Sequence, residues 1–319
     1  MALRVGIGLP QLKHFDPRTA VTRAARAAEE IGYDSVWVFE RFLRPQDQGG
    51  PHGLYQMPDV PWPVRYGGVL DPLVALTLAA AVTERVELGT CVLIAPLHVP
   101  ARLARSLASL DAVSGGRLVA GLGAGWSIDE FAALAPRPVT ERGAALDEFL
   151  DVAAAIWGPD PVAYRNDRWS VAPAEVGPKP ARRIPVYMGG FADAALRRIA
   201  RRGDGWLPTG LPPAAAGATL ARIRAMAADA GRDPSTVSCT FQVGLDGTLD
   251  PVPGADRRPY TGSIEQIVED IAALETAGVD HVFLTVSNVV TDLDAYVDTA
   301  AAFHAALEAA GLTTPPAAR

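Results

Sequence analysis

The chain has 319 residues, 49% of them hydrophobic and 20% charged, with a net charge of −7. That length fits two average domains or one large α/β barrel, and the composition excludes a disordered chain. The acidic balance leaves no electrostatic footprint for nucleic acid or an anionic membrane, and no run of about 18 apolar residues offers a membrane span.

Leu3 to Leu9 reads as a strand that begins almost at once, with no signal peptide before it. A helix is expected from Pro17 to Ile31, with Asp16 as its N-cap and Gly32 closing it. Ser35 to Glu40 is the second strand. Arg41 to Leu70 then has no periodicity. A loop of that length in a compact domain is commonly functional, and Tyr55, Trp62 and Tyr66 favour an ordered lid. Asp71 to Val82 is helical. Val86 to Ile94 is continuously apolar, as a parallel strand buried on both faces must be. The helix from Arg102 to Val113 repeats its apolar positions at helical spacing and stops at Ser114-Gly115-Gly116, before a strand over Leu118 to Leu122.

After an irregular stretch, Glu141 to Ile156 is helical, and Pro161 to Val171 forms a small hairpin turning at Asn166-Asp167. Strands follow at Ile184–Met188, Gly205–Leu207, Ser238–Leu245 and Val279–Val286. They alternate with helices at Asp193–Arg202, Ala214–Gly231, Ser263–Ala277 and Leu293–Ala310. Ser263 and Gln266 form a capping box, and the tail from 313 to 319 is expected to fray. Eight strands, each followed by a helix, favour a single (β/α)8 TIM barrel over residues 1–319, with a long loop after strand two and a hairpin before strand five. An open doubly wound sheet fits less well, because the first strand ends in Leu9-Pro10-Gln11 with no glycine loop.

A barrel builds its active site at the carboxyl ends of its strands. Gly189-Gly190, just before a helix, is a candidate phosphate cradle or simply a tight turn. The run from Gly121 to Trp126 lacks the third glycine of a dinucleotide fingerprint. Glu40 and Arg41, at the end of an otherwise apolar strand, are candidates for acid/base work or cofactor contact, or else a mutual ion pair. His98 opens a helix, where a structural role is the more common one. The other histidines lack ligand spacing, so no metal is expected, and no Gly-x-Ser-x-Gly elbow points to a hydrolase. Cys91 and Cys239, both in apolar strands, are expected to be reduced thiols of a cytoplasmic protein.

Four segments in order, GYDSVWVFER, TERVELGTCVLIAPLHVPARLARSLASLDAVSGGRLVAGLGAGW, IPVYMGGFADAALRRIARRGDGWLP and GSIEQIVEDIAALETAGVDHVFL, carry a family resemblance. Over nearly its whole length the chain resembles the bacterial luciferase-like flavin and deazaflavin (F420) oxidoreductases. VWVFER and LGTCVL are most similar to the F420-dependent branch. The resemblance implies a TIM barrel holding F420, or alternatively FMN, across its strand ends. It places Glu40 at an acidic cofactor contact and Arg41 where many members carry a proton-transferring histidine. Arginine stays protonated, so it can stabilise an anion but is a poor base.

The same resemblance puts Cys91-Val92 at a cis peptide behind the cofactor ring. It makes Ile94, Gly123, Asp129, Gly189, Gly190 and Phe191 further cofactor contacts, and sets Trp126 in a catalytic position. It implies hydride transfer to or from a small-molecule substrate by a homodimer paired through barrel helices. An FMN-dependent monooxygenase and a non-catalytic cofactor-binding relative are the alternatives.

Overall fold

The computed structural model describes residues 3–254 and 257–313. All of the expected tail but Thr313 therefore lies outside the described residues. The barrel strands are β1 (Arg4–Gly8), β2 (Ser35–Val38), β3 (Glu87–Thr90), β4 (Leu93–Ile94), β5 (Leu118–Gly123), β8 (Val186–Met188), β9 (Gly205–Trp206), β10 (Ser238–Val243) and β11 (His281–Leu284), while β6 (Val162–Arg165) and β7 (Ser170–Ala174) form the separate antiparallel hairpin. Every barrel pairing is parallel, and β1 joins both β2 and β11. The ring closes between β3 and β5, where Leu88 faces Leu118. β3 and β4 are two halves of one stave, so the barrel has eight.

The helices are α1 (Ala20–Ile31), α2 (Pro72–Ala80), α3 (Pro100–Val113), α4 (Ile128–Leu134), α5 (Arg142–Trp157), α6 (Asp193–Arg202), α7 (Pro213–Asp229), α8 (Ile264–Thr276) and α9 (Leu293–Ala309). The main core lies between barrel and helices, where residues such as Ile7, Leu88, Leu107, Ile199 and Phe303 are fully buried. A second, smaller core fills the barrel with Trp37, Val119, Leu207 and Phe283. Trp37 stacks on Phe283 with ring centroids 4.9 Å apart. That stack fits because Gly89 presents no Cβ; one built there would overlap the Trp37 ring. Large residues facing small ones are how such an interior reaches close packing.

Three expectations need correction. The expected continuous strand from Val86 to Ile94 is broken by a cis peptide between Cys91 and Val92. Asp16 does not cap α1: its carboxylate takes the backbone and side-chain N–H groups of Arg18, and the helix starts at Ala20. The irregular stretch after β5 contains α4, whose N-cap Ser127 accepts from the Glu130 N–H at 3.2 Å. Among the described residues no helix is long and apolar enough to cross a membrane.

Candidate active site

The segment from Arg41 to Leu70 is ordered into three short 3-10 turns, Gly50–His52, Leu54–Gln56 and Val64–Gly67. Its far end is tied to β1. Gln11 is buried, donates to the carbonyls of Phe39 (2.7 Å) and Leu70 (3.0 Å), and accepts from the Phe39 N–H (2.7 Å). Trp62 is buried at the centre of the segment. Its ring N–H donates to the His52 carbonyl at 2.8 Å, and its backbone N–H to the Gln48 side chain at 2.7 Å. The segment is thus a lid with a hydrophobic pin.

Two adjacent residues of α4 fasten this lid. Asp129 takes the His52 ring Nδ1 at 3.0 Å. Glu130 takes an Arg41 guanidinium N–H at 2.6 Å and the Phe42 backbone N–H at 2.8 Å. The Arg41 and Glu130 side chains are only 9% and 1% exposed. Burial pushes the Glu130 carboxyl above the ordinary carboxylate range, against the pull of Arg41 and of the Phe42 and Leu43 N–H groups.

Arg41 does not pair with Glu40, as the mutual ion-pair alternative required. Its guanidinium carbon lies 5.0 Å from the Trp126 ring centre, 5.3 Å from Trp62 and 5.6 Å from Tyr66. Trp126 in turn contacts Trp62 and Tyr55, with centroids 4.6 and 5.0 Å apart. Within this aromatic cage the Arg41 Nε is buried and, among the described residues, has no hydrogen-bond partner.

Glu40 has a different task. Its Oε2 accepts from the Ile94 N–H at 2.6 Å and its Oε1 meets the His98 Nε2 at 2.8 Å. Its carboxylate therefore spans the two sides of the mouth, from the end of β2 to β4 and the start of α3. Both oxygens have a partner within the protein, and His98 gains a specific one. Ile94 is corrected too. Its side chain is buried with Leu97 and Phe131 beneath α4, so it contributes its backbone N–H and not a side-chain cofactor contact.

The glycines also change role. A Cβ built at Gly123 overlaps Val92 Cγ2, and one at Gly189 lies 3.2 Å from Val92 Cγ1. The missing side chains first make room for Val92, which with Cys91 forms a partly exposed floor over the inner core. Cys91 lies 3.7 Å from the Gln242 side-chain oxygen, and burial pushes its thiol up to about 12, so it is inert as a nucleophile. The Gly190 carbonyl accepts the Trp206 indole N–H at 3.0 Å, and Phe191 is 50% exposed beside it. Asp193 follows in the first turn of α6, where it pairs with Arg222 at 3.0 Å. Asp129, expected at the cofactor, is engaged by His52. The residue missed in the sequence is Glu130. Its signal was Ser127-x-x-Glu130, a capping-box pattern.

Fold and site define a TIM barrel whose carboxyl face is floored by Cys91-Val92 and covered by a lid pinned to α4. The chain belongs to the luciferase-like monooxygenase family, whose model matches residues 4–248. It is 36% identical over 191 residues to an uncharacterised Mycobacterium bovis protein, covering 58% of this chain and 66% of that one. It is 30% identical over 200 residues to an F420-dependent glucose-6-phosphate dehydrogenase of Amycolatopsis mediterranei, covering 62% of this chain and 55% of the dehydrogenase. An F420-dependent secondary alcohol dehydrogenase, solved with an F420-acetone adduct, superposes with a TM-score of 0.75 at 20% identity, over 96% of this chain and 99% of that one. At that identity the likeness speaks for the fold alone.

Proposed function

We propose that the chain is an F420-dependent oxidoreductase that exchanges a hydride with an organic substrate at the lidded end of the barrel. The single observation that carries this reading is Arg41, a permanent cation whose buried Nε–H is unmatched among the described residues, held in an aromatic cage. Hydride transfer to or from a carbonyl carbon places negative charge on its oxygen, and a preorganised donor stabilises that charge most where water is excluded. The 30% identity to a protein named as F420-dependent supports the choice of cofactor.

The residues present fit a flat ring. Gly123 and Gly189 keep side chains off the floor, and Cys91 and Val92 offer it a partly exposed surface. Gly190 and Phe191 would meet the cofactor tail. When bound, F420 supplies the two-electron hydride chemistry. The protein's share is to seat the ring on Val92, to present Arg41 to the substrate oxygen and to exclude water with the Trp62 pin. Glu40 and His98 hold the third stave in register with the second. A homodimer is part of this proposal by family likeness.

Arg41→Ala tests it. Turnover with F420 should fall about 10²–10³-fold, the usual loss for one such donor, with F420 affinity changed less than about threefold. Unchanged turnover would remove Arg41 from the mechanism. The family description also admits an FMN-dependent monooxygenase, and cofactor titration separates the two.

A further inference from the structure

Side chains alternate across a barrel strand, so one face of β10 looks inward. Cys239, Phe241 and Val243 are fully buried in the main core under the helices. Ser238, Thr240 and Gln242 therefore point into the barrel. Gln242 is the last of the three, at the carboxyl end. Its neighbours there are Thr209, which bridges to it after β9, and Cys91, which follows β3. Gln242, Thr209, Cys91, Val92 and Gly189 are all half-exposed, so the strand ends are open to solvent on this side. Gln242 thus stands at the edge of the Cys91-Val92 floor and level with it.

The polar groups around this edge have partners, with one exception. Thr209 Oγ1 donates to the Gln242 carbonyl at 3.0 Å, and the Gln242 backbone N–H donates to the Pro208 carbonyl at 2.9 Å. Burial pushes the Cys91 thiol up to about 12, so it keeps its proton and donates to Gln242 Oε1 at 3.7 Å. The amide oxygen is thereby turned toward Cys91 and the NH2 group away from it. Gln242 Nε2 has no acceptor among the described residues, and unlike Arg41 Nε it is open to solvent.

We propose that Gln242 is a cofactor-binding residue whose Nε2–H group donates to an oxygen on the edge of a flat ring lying on the Cys91-Val92 floor. The inference rests on the F420 reading and deepens it, by assigning the side chain that sets how the ring is turned in its seat. Apolar contact with Val92 is non-directional and leaves the ring free to rotate in its own plane. A hydrogen bond in that plane is directional and stops the rotation. F420 carries edge oxygens at two places: the pyrimidinedione carbonyls, which FMN shares, and the C8 hydroxyl, where FMN has a methyl.

Gln242→Met keeps the length of the side chain and removes the donor, and Gln242→Leu is a second apolar replacement. Both variants and the unaltered chain are titrated with F420 and with FMN by ligand fluorescence, and each is unfolded in urea. F420 affinity should fall at least about tenfold in both variants, the loss expected when a ring oxygen is left without its donor. Urea midpoints should not move, since the amide bonds only to Cys91. An equal fall for FMN assigns the contact to a pyrimidinedione carbonyl, and a fall for F420 alone assigns it to the C8 oxygen. Affinities unchanged within about twofold would overturn the inference. So would a loss of affinity that only tracks a lowered urea midpoint, which would make Gln242 a structural residue. If the unaltered chain binds FMN and not F420, the F420 reading fails, and the FMN affinities of the variants still decide the role of Gln242. Binding of neither ring overturns both.

Discussion

Glu130→Ala is the sharpest perturbation of the lid. It removes the acceptor of both the Arg41 ion pair and the Phe42 N–H, and it leaves a guanidinium that is 9% exposed without its counter-ion. Removing one partner of a buried pair costs about 3–5 kcal/mol. The three aromatic faces around Arg41 stay in place and recover part of that. A net loss of about 3 kcal/mol raises the population of the open lid about 100-fold, at 1.4 kcal/mol per tenfold. Hydrogen exchange reads this directly. The amides of Leu54 and Trp62, bonded to the Val60 carbonyl and the Gln48 side chain, should exchange about 100-fold faster. Those of β11 should keep their rates. Unchanged lid amides would refute the latch, and equal acceleration in β11 would show that Glu130 supports the whole barrel and not the lid.

Two further outcomes test the barrel beneath. Gly123→Ala sets a methyl against Val92 Cγ2, so it should cost about 1–3 kcal/mol of stability in urea unfolding and displace the floor. F420 affinity should drop at least about tenfold with it, and an unchanged affinity would show that the floor does not carry the ring. Inside the barrel, the Trp37 indole N–H donates to Ser35 Oγ, which lies 2.8 Å from His281 Nε2. Burial, helped by the Arg4 charge, holds His281 well below its usual 6.5, so its imidazole is neutral in the folded chain. The unfolded chain takes up the proton that the folded chain refuses. Stability therefore falls as pH drops below 6.5, with this histidine contributing a slope of up to about 1.4 kcal/mol per pH unit. Urea midpoints of His281→Asn should show a slope shallower by that amount, and parallel slopes would exclude His281 as the source.

The barrel was legible because its strands are buried on both faces and write themselves as apolar runs, Val86 to Ile94 most plainly. The break within that run was not, since a cis bond leaves no trace in hydrophobic pattern; only family likeness placed it at Cys91-Val92. Asp16-Pro17 carries the composition of a helix start, yet Arg18 is near enough to take the carboxylate. α4 was hidden by its length of seven residues amid glycines and prolines. With it went Glu130, whose partner Arg41 is 89 positions away in the chain. The sequence can show that Arg41 is a cation at a strand end. It cannot show that a carboxylate cancels that charge, because the pairing exists only once β2 and α4 meet at the rim.

The central claim is the cofactor, and equilibrium titration of the purified chain with F420 and with FMN tests it most directly. F420 should bind and stay bound through gel filtration while FMN is lost. Tight binding of FMN with none of F420 would contradict it.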